Sequence, residues 1–213
     1  MKEVLGKILE EGVVPVIRVA SAQEAFEVAK AIHDGGISVI EVTMTVPGAM
    51  DVIKEVSQKF GKKVLLGAGT VLDPETARAA FLNVAQFLVS PSLNLDVIKM
   101  SNRYSAVVIP GALTPTEILT AWEAGADLVK VFPIAQVGGP AYRAVKAPLP
   151  QIPLVPTGGV NLQNAGEFIK AGAAAIAAGG EMVDKKAVAE KKYSVVTENA
   201  QKFLAEVKKA RAA

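Results

Sequence analysis

The sequence predicts an α/β protein in which eight parallel strands, each followed by a helix, close into one barrel, with an extra helix ahead of the first strand. Three observations lead there. Short runs rich in valine and isoleucine alternate with amphipathic segments along all 213 residues. The runs end in glycine, proline, serine or threonine, as strands buried on both faces do. No Gly/Ser linker, charge block or compositional break divides the chain, so residues 1–213 read as a single domain, a length that barrels reach as one unit.

The elements follow in order. The opening stretch MKEVLGKILEEG interrupts its apolar residues with Lys2, Glu3, Lys7, Glu10 and Glu11, which makes it an amphipathic helix and not a signal peptide. The first strand run is VVPVIRV (13–19), and the helix behind it starts at the cap Ser21 and closes on Gly35. VIEVTM (39–44) is the second run and VLLGAGTV (64–71) the third, with Asp73 capping the helix that follows. FLVSPS (87–92) and AVVIPGA (106–112) come next, and Thr114 and Gly125 bound the helix after them. LVKVFP (128–133), PLVPTGG (153–159) and AAIAAGG (174–180) complete the eight, with Asn161 and Gly172 bounding the last intervening helix. An open doubly wound sheet normally carries a glycine-rich fingerprint after its first strand. Here that strand runs on as VIRVASAQEA, and the GAGT of the third run is too short to serve. A closed TIM-type (β/α)8 barrel is the simpler architecture.

Composition narrows the chemistry. Net charge is +2 and the basic residues are scattered through helical segments, so no nucleic-acid footprint is marked. Cysteine is absent, which removes disulfides, thiolate nucleophiles and cysteine-held zinc together. The one histidine, His33, ends a helical pattern and reads as a solvated last-turn residue. No metal site and no cofactor are expected. No apolar run reaches the ~18 residues that span a bilayer, and the protein is expected to be cytoplasmic, without a membrane partner.

The sixth run poses the main question, because Lys130 stands between Val129 and Val131. Side chains alternate along a strand, so Leu128, Lys130 and Phe132 share the inward face while Val129 and Val131 meet the helices. The same phase turns Glu41 and Thr43 inward in the second run, Arg18 with Val14 and Val16 in the first, and Thr70 with Ala68 in the third. A buried Lys130–Glu41 ion pair kept for structure is the bland account, but such a pair is weak support for stability. The chemical account is a nucleophilic amine. Free lysine titrates near about 10.4, and apolar surroundings lower that by as much as ~3–5 units. A neutral amine condenses with a ketone to a Schiff base, whose protonated form is an electron sink. Glu41, the one carboxylate of the inward set, would move protons. It would also favour the ammonium, and the sequence leaves open whether burial or the carboxylate dominates. Arg18 suits a substrate carboxylate, which a guanidinium binds at two points.

Glycine pairs end the last two runs, Gly158-Gly159 in VPTGGVN and Gly179-Gly180 in AAGGEMV. Loops after the last two strands of such a barrel are a frequent phosphate site, and glycine lets backbone N–H groups approach an anion. A third pair, Gly138-Gly139, lies beyond Lys130 and either shapes a loop or starts a helix.

With IEVTMT, GAGTV, SPSL, IPGALTPTE, KVFP and PTGGV in that order, nearly the whole chain resembles the 2-keto-3-deoxy-6-phosphogluconate (KDPG) and 4-hydroxy-2-oxoglutarate (KHG) aldolase family. The resemblance implies a class I aldolase of carbohydrate metabolism in the Entner–Doudoroff pathway, usually a homotrimer. Lys130 would be the Schiff-base lysine and Glu41 the acid/base. Arg18 and Thr70 would hold the pyruvyl carboxylate, with Pro91 and Phe132 shaping the pocket. Gly159, Gly179 and Gly180 would hold the phosphate of a keto acid substrate, with Thr157 and Gly158 also among the substrate-binding residues. Two places depart from the pattern: Thr45 stands where some members carry arginine, and Gly180, followed by Glu181, where some carry serine. An acidic neighbour opposes an anion. The competing readings are a phosphosugar isomerase or epimerase with Lys130 as a cation, and an inactive binding module.

Overall fold

The computed structural model describes residues 1–212. Helix α1 (Lys2–Glu11) precedes β1 (Val13–Ile17), as predicted, and helices and parallel strands then alternate to the C-terminus. The strands are β2 (Val39–Thr43), β3 (Leu65–Gly69), β4 (Phe87–Val89), β5 (Val107–Ile109), β6 (Gly111–Ala112), β7 (Val129–Val131), β8 (Leu154–Pro156) and β9 (Ile176–Ala178). The helices between them are α2 (Ala22–Asp34), α3 (Ala49–Phe60), α4 (Pro74–Leu82), α5 (Leu95–Arg103), α6 (Pro115–Glu123), α7 (Gly138–Lys146) and α8 (Ala165–Lys170). Helices α9 (Lys185–Ala189) and α10 (Tyr193–Ala212) end the chain.

The predicted closed eight-stranded barrel does not form. The strands make two parallel sheets, one of six in the order β5-β4-β3-β2-β1-β9 and one of three, β6-β7-β8. Proline explains both gaps, since it has no N–H to donate to a ladder. Pro110 splits the fifth run, so Val107–Ile109 pairs with β4 while Gly111–Ala112 pairs with β7. On the far side, Pro153 precedes and Pro156 ends a β8 of three residues, which meets β9 through the bridge Thr157–Ala177.

Two apolar layers sandwich the strands. Ile40, Val42, Ala68, Leu88, Val129 and Val131 face the helices. Val14, Val16, Leu65, Phe87, Leu128 and Val155 line the inner face. Helix α1 covers the N-terminal end of that inner face through Val4, Leu5, Ile8 and Leu9. It is tied down at its last residue, where the Glu11 carboxylate accepts from Ser38 N, Ser38 Oγ and Val39 N.

The predicted caps at Ser21, Asp73 and Thr114 each accept a backbone N–H in the first turn, and Thr114 forms a reciprocal capping box with Glu117. Asn161 does not start a helix. Its Oδ1 accepts from Gln163 N and Asn164 N in a turn, and α8 begins only at Ala165. Gly138 opens α7, so the third glycine pair starts a helix.

Candidate active site

Period-two alternation places Lys130 on the inner face, one step beyond Leu128 and paired across the small sheet with Gly111 and Val155. Its side chain is 5% exposed, with the ammonium nitrogen 5.0 Å from the centre of the Phe132 ring. Glu41 sits inside the larger sheet opposite Gly67 and is 1% exposed.

Glycines make room for these side chains. A Cβ on Gly69 would run into the Glu41 carboxylate, and one on Gly67 into the Phe87 ring. The GAG of the third strand is therefore an inner-face clearance for two neighbours. Gly111 is likewise required by the backbone of Pro91, which an added Cβ would strike. Pro91 thus flanks the strand position that pairs with Lys130.

The electrostatics answer the question that the sequence leaves open. Burial is the largest influence on Lys130 and holds its ammonium pKa below the ordinary lysine value. The Glu41 charge opposes that shift and the Arg18 charge adds to it. Burial likewise raises the Glu41 carboxyl above the usual carboxylate range, against the pull of Lys130 and Arg18. Both Glu41 carboxylate oxygens are buried without a hydrogen-bond partner. No Lys130–Glu41 contact within 4 Å is present among the described residues, so the two groups feel one another without forming a structural ion pair.

Arg18 and Thr70 reach the site by routes that simple alternation does not describe. Arg18 lies one residue past β1, is exposed, and donates from Nη2 to Thr70 Oγ1 at 3.2 Å. Ala68 faces the helices, so strict alternation would send Thr70 the same way. Thr70 instead has φ 57°, a left-handed backbone unusual for a β-branched residue, and this turns its hydroxyl toward Arg18. Thr43, also buried on the inward phase, donates to the Ile17 carbonyl at 2.9 Å.

A cavity of about 450 Å³ gathers Arg18, Lys130, Phe132 and Thr157 with the glycines 158, 159, 179 and 180. Glu41, Thr70 and Pro91 do not line it: the Glu41 charge acts on Lys130, Thr70 bonds to Arg18, and Pro91 lies close against Gly111. The cavity also exposes Asn161, Glu181 and Lys185. Sequence reasoning missed Lys185, whose only signal is a DKK triplet that begins four residues beyond Gly180. A cavity of about 520 Å³ at the α1 end is lined by Glu3, Lys7 and Lys62 and contains none of the predicted site residues. His33 is outside both and half-buried, not solvated, with its ring edge-on to Phe60 at 5.0 Å.

The two glycine pairs are not equivalent. Gly158 and Gly159 have φ of 77° and 108°, and added Cβ atoms would meet the Phe132 ring and Ala135. Gly179 and Gly180 are outside the left-handed region; a Cβ on Gly179 would touch only Val16, at 3.9 Å, and one on Gly180 nothing within 4 Å.

A family model described as KDPG and KHG aldolase matches residues 4–199. The chain belongs to this aldolase family. It is 36% identical over 193 residues to a 2-dehydro-3-deoxy-phosphogluconate aldolase of Treponema pallidum, covering 90% of this chain and 91% of the relative. It is 34% identical over 170 residues to a 2-dehydro-3-deoxy-6-phosphogalactonate aldolase of Escherichia coli, covering 79% and 83%. Among solved structures, KDPG aldolase from Legionella pneumophila, with pyruvate captured as a covalent carbinolamine intermediate, superimposes with a TM-score of 0.86. The two are 28% identical, over 93% of this chain and 96% of that one. Membership makes the protein a carbon–carbon lyase, and the isomerase or epimerase reading is not favoured. Among the described residues no helix is long and apolar enough to cross a membrane, and no cluster of three or more His, Cys, Asp or Glu side chains could hold a metal ion.

Proposed function

We propose that this aldolase reversibly cleaves a phosphorylated 2-keto-3-deoxy sugar acid, KDPG, to pyruvate and glyceraldehyde 3-phosphate, with 4-hydroxy-2-oxoglutarate, which gives glyoxylate, as the other candidate substrate. The observation that carries this reading is the position of Lys130, an amine buried on the inner face and opening into a cavity that also holds Arg18 and the glycine loops.

The chemistry follows from these groups. The Lys130 amine adds to the substrate ketone, and loss of water from the carbinolamine gives a protonated imine. The water lost from the carbinolamine carries the proton of the C4 hydroxyl to Glu41, which does not itself line the cavity, the C3–C4 bond breaks, and its electrons pass into the imine to form an enamine while the aldehyde departs. The enamine is protonated at C3, and water then releases pyruvate and the free amine. A carboxyl held above its ordinary range by burial, with neither oxygen otherwise engaged, is suited to take and return a proton. Arg18, which donates to Thr70, takes the pyruvyl carboxylate, with Phe132 shaping that end of the cavity and Pro91 set outside it against Gly111. Thr157 and the glycines at 158, 159, 179 and 180 form the far end for the phosphate.

The test is reductive trapping. Incubation with pyruvate and borohydride should add the mass of the reduced pyruvyl group to Lys130; an unmodified Lys130 would end the reading. We further propose a single domain over residues 1–213, from the unbroken composition, a cytoplasmic location, from the N-terminal and apolar patterns, and a homotrimer, from the family resemblance. Light scattering on a sizing column checks the trimer.

A further inference from the structure

The far end of the cavity contains a cation that the mechanism above does not use. The chain leaves β9 through Gly179 and turns sharply, because Met182 N and Val183 N both donate to the Gly179 carbonyl. Met182 and Val183 are buried, Asn199 Nδ2 donates to the carbonyls of Glu181 and Met182, and Asp184 accepts from Ala187 N at 2.6 Å. These contacts fix the backbone at Lys185. Its side chain borders the Lys130 cavity and, with Arg18, an adjoining cleft of about 290 Å³. Glu181 lies on the same rim, yet no carboxylate is within 4 Å of the Lys185 ammonium among the described residues. The rim thus carries one acidic group beside the glycines and one lysine without an ionic partner in the protein.

We propose that Lys185 is a specificity-determining residue, whose ammonium takes the distal phosphate monoester of the keto acid and offsets Glu181. The proposal rests on the aldolase reading and deepens it. Gly180 offers no side-chain donor, so an anion beside Glu181 needs a positive group from elsewhere on the rim, and Lys185 is the residue that supplies it. As a compact point charge on a flexible stem it suits a phosphate approached from solvent.

The experiment compares KM for the phosphorylated and unphosphorylated forms of one keto acid. Lys185→Ala should raise KM for the phosphorylated form about tenfold more than for the other, the size expected for one lost charged hydrogen bond. Lys185→Arg should restore most of the difference, and Glu181→Gln should lower KM for the phosphorylated form. Lys186→Ala removes the same charge from an exposed neighbour that borders neither cavity, and should leave the KM ratio as it is. Equal KM changes for both substrates in Lys185→Ala, or the same ratio change in Lys186→Ala, would overturn the proposal. Pyruvate has no distal anion, so borohydride trapping at Lys130 separates the two readings. A wild-type protein that traps pyruvate but whose KM ratio ignores Lys185 refutes this assignment alone, whereas a failure to trap refutes the parent reading.

Discussion

The two ends of the inner face are built from the same strands by opposite rules. At the N-terminal end, Val39, Leu65, Phe87, Val107 and Leu128 pack under α1 as a wholly apolar layer. Two to four residues further along the same strands stand Glu41, Gly67, Gly69 and Lys130, an amine, a carboxyl and the glycines that clear space for Glu41 and Phe87. The first end earns its stability from burial. The second places an amine and a carboxyl out of water without a direct contact between them, an arrangement that costs stability and shifts both groups toward their neutral forms. The difference separates fold from chemistry by a rise of only about 7 Å, two residues of strand.

The sharpest way to break this comparison is Lys130→Met. Turnover should fall by about 10⁶-fold, as loss of a covalent nucleophile does, while the thermal midpoint holds or rises. A large fall in stability would show that Lys130 belongs to the structural end. Glu41→Gln should come next, slowing cleavage by about 10²–10⁴-fold while pyruvate trapping persists. The pH dependence of trapping sharpens it. The wild-type midpoint should lie below the ordinary lysine value because burial lowers it, and Glu41→Gln should move it lower still, because the Glu41 charge holds it up. An upward move would reverse the assigned sign. The same signs apply to stability. In the window below 10.5, down to the depressed Lys130 value, the unfolded chain binds the extra proton, so the Lys130 contribution to stability grows as pH rises.

At the apolar end, Phe87→Ala should cost about 3–5 kcal/mol of stability, read by denaturant melts, with trapping at Lys130 retained. The smallest effects divide the glycine pairs. Gly159→Ala forces a side chain into a left-handed backbone against Ala135 and should cost roughly 1–3 kcal/mol. Gly180→Ala has open space and should change stability by no more than about 0.5 kcal/mol. Equal costs would mean that the pairs serve one purpose.

Much of the site was legible because strand alternation is a local rule. Lys130, Phe132, Glu41 and Thr43 follow from counting by two along strands whose apolar residues mark the other face. Thr70 was placed with them by the wrong route, since its outer-facing partner Ala68 predicts the opposite side and only the left-handed turn brings it to Arg18. Lys185 was not legible, because a lysine after a short loop resembles any solvated charge until the turn at Gly179 directs it to the cavity. The barrel expectation failed at Pro110, Pro153 and Pro156, whose missing N–H groups matter only once it is known which neighbouring strand would have needed them.

The sequence by itself determined the alternation of helix and parallel strand, the helix starts at Ser21, Asp73 and Thr114, and the inward phase of Glu41, Thr43 and Lys130, because periodicity and capping act over a few neighbouring residues. Only the tertiary structure decided that the sheet stays open in two parts, that burial outweighs Glu41 at Lys130, and that one glycine pair is demanded by packing and the other is not. Those outcomes depend on atoms brought together from distant parts of the chain, whose competition over hydrogen bonds, solvent and space no local pattern records.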